Sequence, residues 1–389
     1  MPLIIEGNVP SGWAERGNPR PLPAGSGTKG TECVSLALIN NMPDAALEDT
    51  ELQFFELLDT ASDDVTVSLK LYSLSGIPRT DRGERRLNSF YFCMDDLWSQ
   101  RFDGVIVTGT EPRQPDLRNE PYWSALANAL DWAESHTFST ILSCLAAHAG
   151  VLHSDGIGRH PLSDKQFGVF DFSKPAAHRF TRGTAERVRF PHSRWNEVRA
   201  HELIACGYSV LTQSAEGGVD SFVKKKKQSL FLHFQGHPEY GAQTLLKEYR
   251  RDIRRFLKAE RETYPSMPKG YFDAASARLL TDFRDAVWTE RREELMEGFP
   301  EAAVATGLQN TWRSSAVSIY RNWLQYLVAK KAESSGLLPP VGSGDQRDDQ
   351  PRGLISVVQS TLRHSSPILQ RRPSGERNLT HRWLQSRKK

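Results

Sequence analysis

Cysteine is scarce in this chain: four in 389 residues, at Cys33, Cys93, Cys144 and Cys206. None stands in a CxxC or CxxH pair, which excludes a disulfide scaffold and a structural zinc site as organising principles. A reducing cytoplasm is the expected compartment. Long hydrophobic runs are missing as well. No apolar stretch approaches the roughly 20 residues that a membrane helix needs. The opening Met1-Pro2-Leu3-Ile4-Ile5-Glu6 breaks after three apolar residues, too soon for a secretory segment, so no membrane association is expected. Nor does one sign of charge dominate, since 50 Lys/Arg against 47 Asp/Glu leave a net +3. That excess is uneven. Residues 331–389 hold 11 Lys/Arg against 5 Asp/Glu, residues 1–32 hold three of each, and the body between them has a balance of −3. The basicity belongs to a tail, and no nucleic-acid partner is expected.

What is present suits a globular chain with a full core: 38% hydrophobic and 25% charged residues. Residues 1–32 read as an irregular segment, with Pro10, Pro19, Pro21, Pro23 and a Gly25-Ser26-Gly27 run. Order is expected to begin at Cys33–Asn40, a short apolar run of the kind found in buried parallel strands. Strand patterns recur at 65–72, 102–109 and 140–144. Between them lie helical patterns in which Leu47, Phe54, Phe55, Leu57 and Leu58, or Trp123, Leu126 and Leu130, share a face. Alternation of this kind predicts an α/β fold, a mostly parallel sheet with helices on both faces. Further strands joined by short turns are expected over 168–235. There the lysine run Lys224–Lys227 reads as a solvated hairpin turn. A basic helix follows at 245–257 and another helix at 312–328. The main domain is thus placed at 33–330. The Ser-, Pro-, Gly- and Arg-rich residues 331–389 read as a disordered tail.

Two places carry chemistry. Cys144 ends a strand and begins a small-residue helix, the position where open α/β sheets bind ligands. The helix N-terminus there favours a thiolate, and its free N–H groups suit a developing oxyanion. Alone, such a cysteine is more often a small buried hydrophobe than a nucleophile. His237-Pro238-Glu239 also follows an apolar strand at its carboxyl end. It can set an imidazole beside the thiol and a carboxylate behind the imidazole. Together they predict a Cys144–His237–Glu239 triad.

With those residues in view, the chain resembles the homoserine O-acyltransferase family (homoserine O-succinyltransferase, or transsuccinylase), whose fold is class I glutamine amidotransferase-like and flavodoxin-like. The matching pieces are Asn41-Met42-Pro43, Val107-Thr108-Gly109 with Glu120-Pro121-Tyr122-Trp123, and Lys165 with Gly168-Val169. They continue with Pro191-His192-Ser193-Arg194, Gly236–Tyr240, Ala242–Leu245, Glu248–Asp252, Trp312–Ser315 and Asn322-Trp323-Leu324. The resemblance implies that Cys144 attacks an acyl-CoA thioester, while His237, oriented by Glu239, moves the protons. It implies that Arg251 binds the α-carboxylate of L-homoserine and that Lys165 and Ser193 contact substrate. No metal and no bound cofactor are implied, succinyl-CoA or acetyl-CoA being the donor substrate. A cytoplasmic homodimer is the expected assembly.

The chain departs from the family pattern twice. A lysine usually follows Met-Pro, but here Asp44, Ala45 and Ala46 do, with no basic residue close in sequence. By ungapped spacing, the family's acyl-specificity position falls on Arg113, where succinyl-selective members have glycine and acetyl-selective members glutamate. An arginine offers a partner to the succinyl carboxylate, which favours succinyl-CoA over acetyl-CoA. Three other readings stay open: L-serine as the acceptor, a glutaminase-type amidotransferase, and a non-catalytic relative. Against the glutaminase stand Leu142 and Ala146, where the usual elbow has glycines.

Overall fold

The computed structural model describes residues 3–14 and 33–336. They build one ten-stranded sheet: β1 (Leu3–Ile5), β2 (Cys33–Ile39), β3 (Thr66–Tyr72), β4 (Gly104–Val107), β5 (Ser139–Ser143), β6 (His160–Ser173), β7 (Arg187–Glu197), β8 (Ser209–Ser214), β9 (Gly218–Lys226) and β10 (Ser229–Phe234). The spatial order is β1-β3-β2-β4-β5-β10-β9-β8-β6-β7. The first six are mutually parallel and the last four continue antiparallel.

Parallel strands need both faces covered, and β2 shows how the sequence meets that demand. Val34, Leu36 and Leu38 join the core under the helices Asp44–Ala61, Thr244–Leu257 and Arg313–Ser334. The alternate residues Ala37 and Ile39 join a second core under the helices Trp123–His136 and Leu145–Asp155. The α/β expectation is met. Two of the matching motifs prove architectural. Trp312 Nε1 donates to Tyr240 O at 2.8 Å, Arg313 Nη2 to Glu56 O at 2.7 Å, and Asn322 Nδ2 to the carbonyls of Phe180 and Arg182 at 2.9 and 2.8 Å.

Four expectations need revision. The segment 1–32 is not wholly irregular: Leu3–Ile5 pairs with Val67–Leu69, and Trp13 packs edge-on against Phe55. Three strand residues are too few for a pattern to register. The long pair β6/β7 went unread because the first half of β6 is polar and β7 carries Pro191 in its interior. That proline is tolerated because β7 closes the edge of the sheet. The last helix runs on to Ser334, beyond the expected boundary at 330. The rest of the tail, from residue 337, lies outside the described residues. The lysine run is only in part the solvated turn expected: Lys224, Lys225 and Lys226 lie within β9, with Lys226 buried, and Lys227 enters the turn. Lys224 pairs with Asp155 at 2.5 Å and Lys227 with Glu134 at 3.1 Å.

Candidate active site

β5 and β10 are parallel neighbours, with Ser143 paired to Phe234. Their carboxyl ends therefore deliver Cys144 and the Gln235–Tyr240 turn to the same edge. Cys144 N–H donates to Phe234 O at 2.8 Å, tying the two ends together. Cys144 has φ 54° and ψ −115°, a backbone conformation that costs a residue with a side chain about 1–3 kcal/mol. It makes the sharp turn from strand to helix that presents the sulfur instead of burying it. The thiol is half-buried, at the N-cap of the helix Leu145–Asp155. The loop after β4 closes in from the side. A Cβ on Gly109 would lie 2.8 Å from Leu145 N, so only glycine lets that loop reach the first turn of the helix. N–H groups of a first helical turn have no intrahelical acceptor.

His237 stands opposite. Its Nδ1 pairs with Glu239 Oε1 at 2.8 Å, and its ring hydrogen-bonds Cys144. Ser143 Oγ donates to the same carboxylate oxygen at 3.3 Å. Tyr240 stacks on the imidazole at 4.1 Å between centroids. The turn itself is wedged: His237 N–H donates to Pro191 O at 2.9 Å and Gly236 N–H to Asp220 Oδ1 at 3.2 Å. A Cβ on Gly236 would come within 2.7 Å of both Asp220 Oδ1 and His192 Nε2.

Four buried histidines occupy this part of the molecule, and electrostatics tells them apart. Burial pushes His148 and His233 down to about 3. It pushes His192 to about 4 despite an Asp220 carboxylate 3.2 Å away. His237 is as deeply buried, yet it is held well above its ordinary value. Burial opposes its charge, and the negative charges and hydrogen bonds of Cys144 and Glu239 outweigh burial. Among these four, His237 alone is held above its ordinary value and poised to carry a proton.

The expected substrate contacts Lys165, Ser193 and Arg251 do converge, and they do so on two carboxylates. Lys165 Nζ lies 2.9 Å from Asp252 Oδ2 and 3.7 Å from Glu248 Oε2. Arg251 Nη2 lies 3.0 Å from Asp252 Oδ1 and 3.9 Å from Glu248 Oε2. Ser193 Oγ donates to Glu248 Oε2 in a short bond, and Tyr240 OH donates to Glu248 Oε1 at 2.6 Å. Burial works against ionisation of Asp252, but Lys165 and Arg251 prevail and hold it below the usual carboxylate range. Tyr240 thus joins this cluster to the triad through one side chain.

Arg113 lies on the loop between β4 and Glu120. Its backbone N–H and that of Gln114 donate to Glu120 Oε1 at 2.5 and 2.6 Å, while its side chain is exposed. Asp44 accepts from Thr80 N and Thr80 Oγ1 at 2.7 and 2.6 Å. No basic residue is close to this segment in sequence, but the fold brings one to it. Arg79, distant in sequence, donates to Met42 O at 2.6 Å and pairs with Asp44 Oδ1 at 3.1 Å. Sequence reasoning gave Glu248, Asp252 and Tyr240 no role of their own. The available signal was the spacing of 248, 251 and 252, which puts an acid, a base and an acid on one helical face. Nothing local marks Asp220 or Arg79, whose partners lie on other elements.

Comparison with known proteins follows the same lines. The model of the family described as homoserine O-succinyltransferase matches residues 25–334. A homoserine O-succinyltransferase of Rhodopseudomonas palustris is 41% identical over 76% of this chain and 89% of its own. One of Bradyrhizobium japonicum is 41% identical over 80% of this chain and 95% of its own. Among solved structures, a glutamine amidotransferase from Thermotoga maritima aligns with 76% of this chain and 98% of its own, at 11% identity and a TM-score of 0.42.

Proposed function

The chain belongs to the homoserine O-succinyltransferase family, and from that premise we propose that it moves a succinyl group from succinyl-CoA to the hydroxyl of L-homoserine through a thioester on Cys144. The observation that carries this reading is the Cys144–His237–Glu239 constellation, in which a buried histidine held above its ordinary value lies between a thiol and a carboxylate. Attack by the Cys144 thiolate on the donor carbonyl forms a C–S bond and expels CoA as its thiol, which takes the proton from His237. In the second half-reaction, His237 accepts the proton of the homoserine hydroxyl. The new C–O bond forms as the Cys144 C–S bond breaks. Glu239 fixes the tautomer and stabilises the imidazolium in both halves. The Leu145 N–H, with the loop at Gly109 against it, faces the oxyanion of each tetrahedral intermediate.

In this reading the Glu248–Asp252 cluster holds the acceptor. Arg251, half-exposed, turns a guanidinium fork to the α-carboxylate. Glu248, joined to Ser193 and Tyr240, offers an acceptor for the α-ammonium, with Lys165 balancing the excess negative charge. Arg113 acts at the rim of the donor side, and Arg113→Glu shifts preference from succinyl towards acetyl. Family membership also underlies the reading of a cytoplasmic homodimer with no resident cofactor.

The test is CoA release over a matrix of succinyl-CoA and acetyl-CoA against L-homoserine and L-serine, with ammonia release from glutamine as a control. Fastest turnover of the succinyl-CoA and L-homoserine pair is expected. A faster acetyl-CoA or L-serine reaction would reassign the substrate, and ammonia release without acyl transfer would overturn the reaction class.

A further inference from the structure

The residues His237-Pro238-Glu239-Tyr240 close a turn, with Tyr240 N–H donating to His237 O at 3.2 Å. Proline suits the second position of such a turn, where its fixed φ is already the one required. The closure brings the side chains of the first and last residues together. Their rings stack, with 4.1 Å between centroids and 17° between planes. The third residue, Glu239, returns to His237 Nδ1 at 2.8 Å. One short turn thus gives the imidazole a carboxylate at its edge and an aromatic ring across its face. Acyl transfer through Cys144 and His237 employs the carboxylate; the ring so far has no task.

Tyr240 is fixed at both ends. Its backbone carbonyl accepts from Trp312 Nε1 at 2.8 Å and from Asn310 Nδ2 at 3.2 Å. At the tip, its hydroxyl donates to Glu248 Oε1 at 2.6 Å. Burial, with the Glu248 charge, pushes the phenol well above its ordinary value, so it remains a donor. A ring anchored in this way is held against swinging aside, and it limits rotation of the imidazole stacked on it. Its face carries the negative end of the aromatic quadrupole, which attracts a cation lying over it. The fold holds its own contrast. His233 is also buried and stacks on Phe222 at 4.6 Å and 12°, but no carboxylate hydrogen-bonds it among the described residues.

We propose that Tyr240 is a positioning residue for the general base: its anchored ring fixes the plane of the His237 imidazole and favours the protonated form through which both half-reactions pass. Its effect on rate rests on the acyl-transfer reading above, whereas its effect on the imidazole stands apart from that reading. The other titratable groups facing the imidazole are Cys144 at the helix cap, Glu239 in the turn and His192 on β7, which burial keeps neutral. Glu248 acts from the helix Thr244–Leu257 through the phenol. Substitution of Tyr240 removes none of these groups.

Tyr240→Leu removes the ring face and Tyr240→Phe keeps it, so the pair separates stacking from the hydroxyl bond. Imidazole NMR of the full chain gives the first measurement, with the His237 resonance identified by its loss in His237→Gln. Tyr240→Leu is expected to lower the His237 titration midpoint by about one pH unit, and Tyr240→Phe by less than half as much. The acylation burst with succinyl-CoA alone should slow about tenfold in Tyr240→Leu and stay within about threefold of wild type in Tyr240→Phe. The His233 resonance should stay in place in both, which separates loss of the ring from general loosening. An unmoved midpoint or an unchanged burst in Tyr240→Leu would overturn the proposal and leave Tyr240 as packing. A shift in Tyr240→Phe as large as in Tyr240→Leu would overturn it too, since the hydroxyl bond would then act in place of the ring face. If Tyr240→Leu does not fold, Tyr240→Met takes its place, filling the site without an aromatic face. Absence of turnover by the wild-type protein with every acyl-CoA would instead overturn the acyl-transfer reading, and the midpoint, read without substrate, would still decide what Tyr240 does to His237.

Discussion

The Cys144–His237–Glu239 constellation and the Glu248–Asp252 cluster lie side by side, joined by Tyr240, yet they are built on opposite principles. Around Cys144 and His237 the backbone is strained at Cys144 and, among the described residues, no ion pair joins the cysteine to a neighbour, while His237 Nδ1 and Ser143 Oγ share one oxygen of Glu239. Around Glu248 and Asp252 every charge has several partners, including Lys165, Arg251 and Arg261, and the Arg251 side chain is 47% exposed. Sparse wiring makes a site that a single substitution abolishes. Dense wiring spreads each loss over the remaining partners and lets the cluster exchange an internal ion pair for a substrate group. On the proposed function, bond making uses the first arrangement and recognition of a small zwitterion the second.

Substitutions can break that contrast or sharpen it. Cys144→Ser should lower CoA release by roughly 1000-fold or more, because an alcohol replaces a thiolate. Near-native transfer would show that the sulfur is not the nucleophile. Glu239→Gln should lower kcat roughly 100-fold with little change in KM. It should also move His237 to a lower titration midpoint in NMR, since one of the two charges raising it is gone. The sign for stability follows. A histidine raised in the fold contributes stability that is fully present below its unfolded value of about 6.5 and is lost as pH rises through its higher folded value. The stability deficit of Glu239→Gln should therefore be largest at acid pH and shrink on the alkaline side.

Smaller effects belong to the cluster. Glu248→Gln should raise KM for the amino acid about tenfold while the acylation burst with donor alone stays intact. A lost burst would merge the two regions into one. Lys165→Met tests dense wiring through acid stability. Asp252 is depressed in the fold, so its contribution is present above the ordinary carboxylate value and is lost as pH falls through the folded one. Without Lys165 that acid-side loss in urea unfolding should flatten, with Arg251 and Arg261 retaining part of it.

How far the sequence alone reaches follows the same division. Cys144 and His237-Pro238-Glu239 were legible because each sits at the carboxyl end of an apolar run, and parallel pairing of β5 with β10 then brings them together. The helices under the sheet were legible from periodicity. β6 and β7 were not, since half of β6 is polar and exposed and β7 holds a proline. With that pair unread, Lys165 and Ser193 rested on motif resemblance alone, and Asp220 behind Gly236 went unnoticed. Arg79 beside Asp44 could not be read at all, because only tertiary packing brings the two together.

The backbone of Cys144 has a consequence for how long the protein lasts. Its positive φ is a standing tension that the surrounding strands and helix must hold against at every temperature. Glycine at the same position would release it, so Cys144→Gly should melt a few degrees above the wild-type protein while transferring nothing. On the proposed mechanism, the nucleophile is also where heat would find the molecule over-wound.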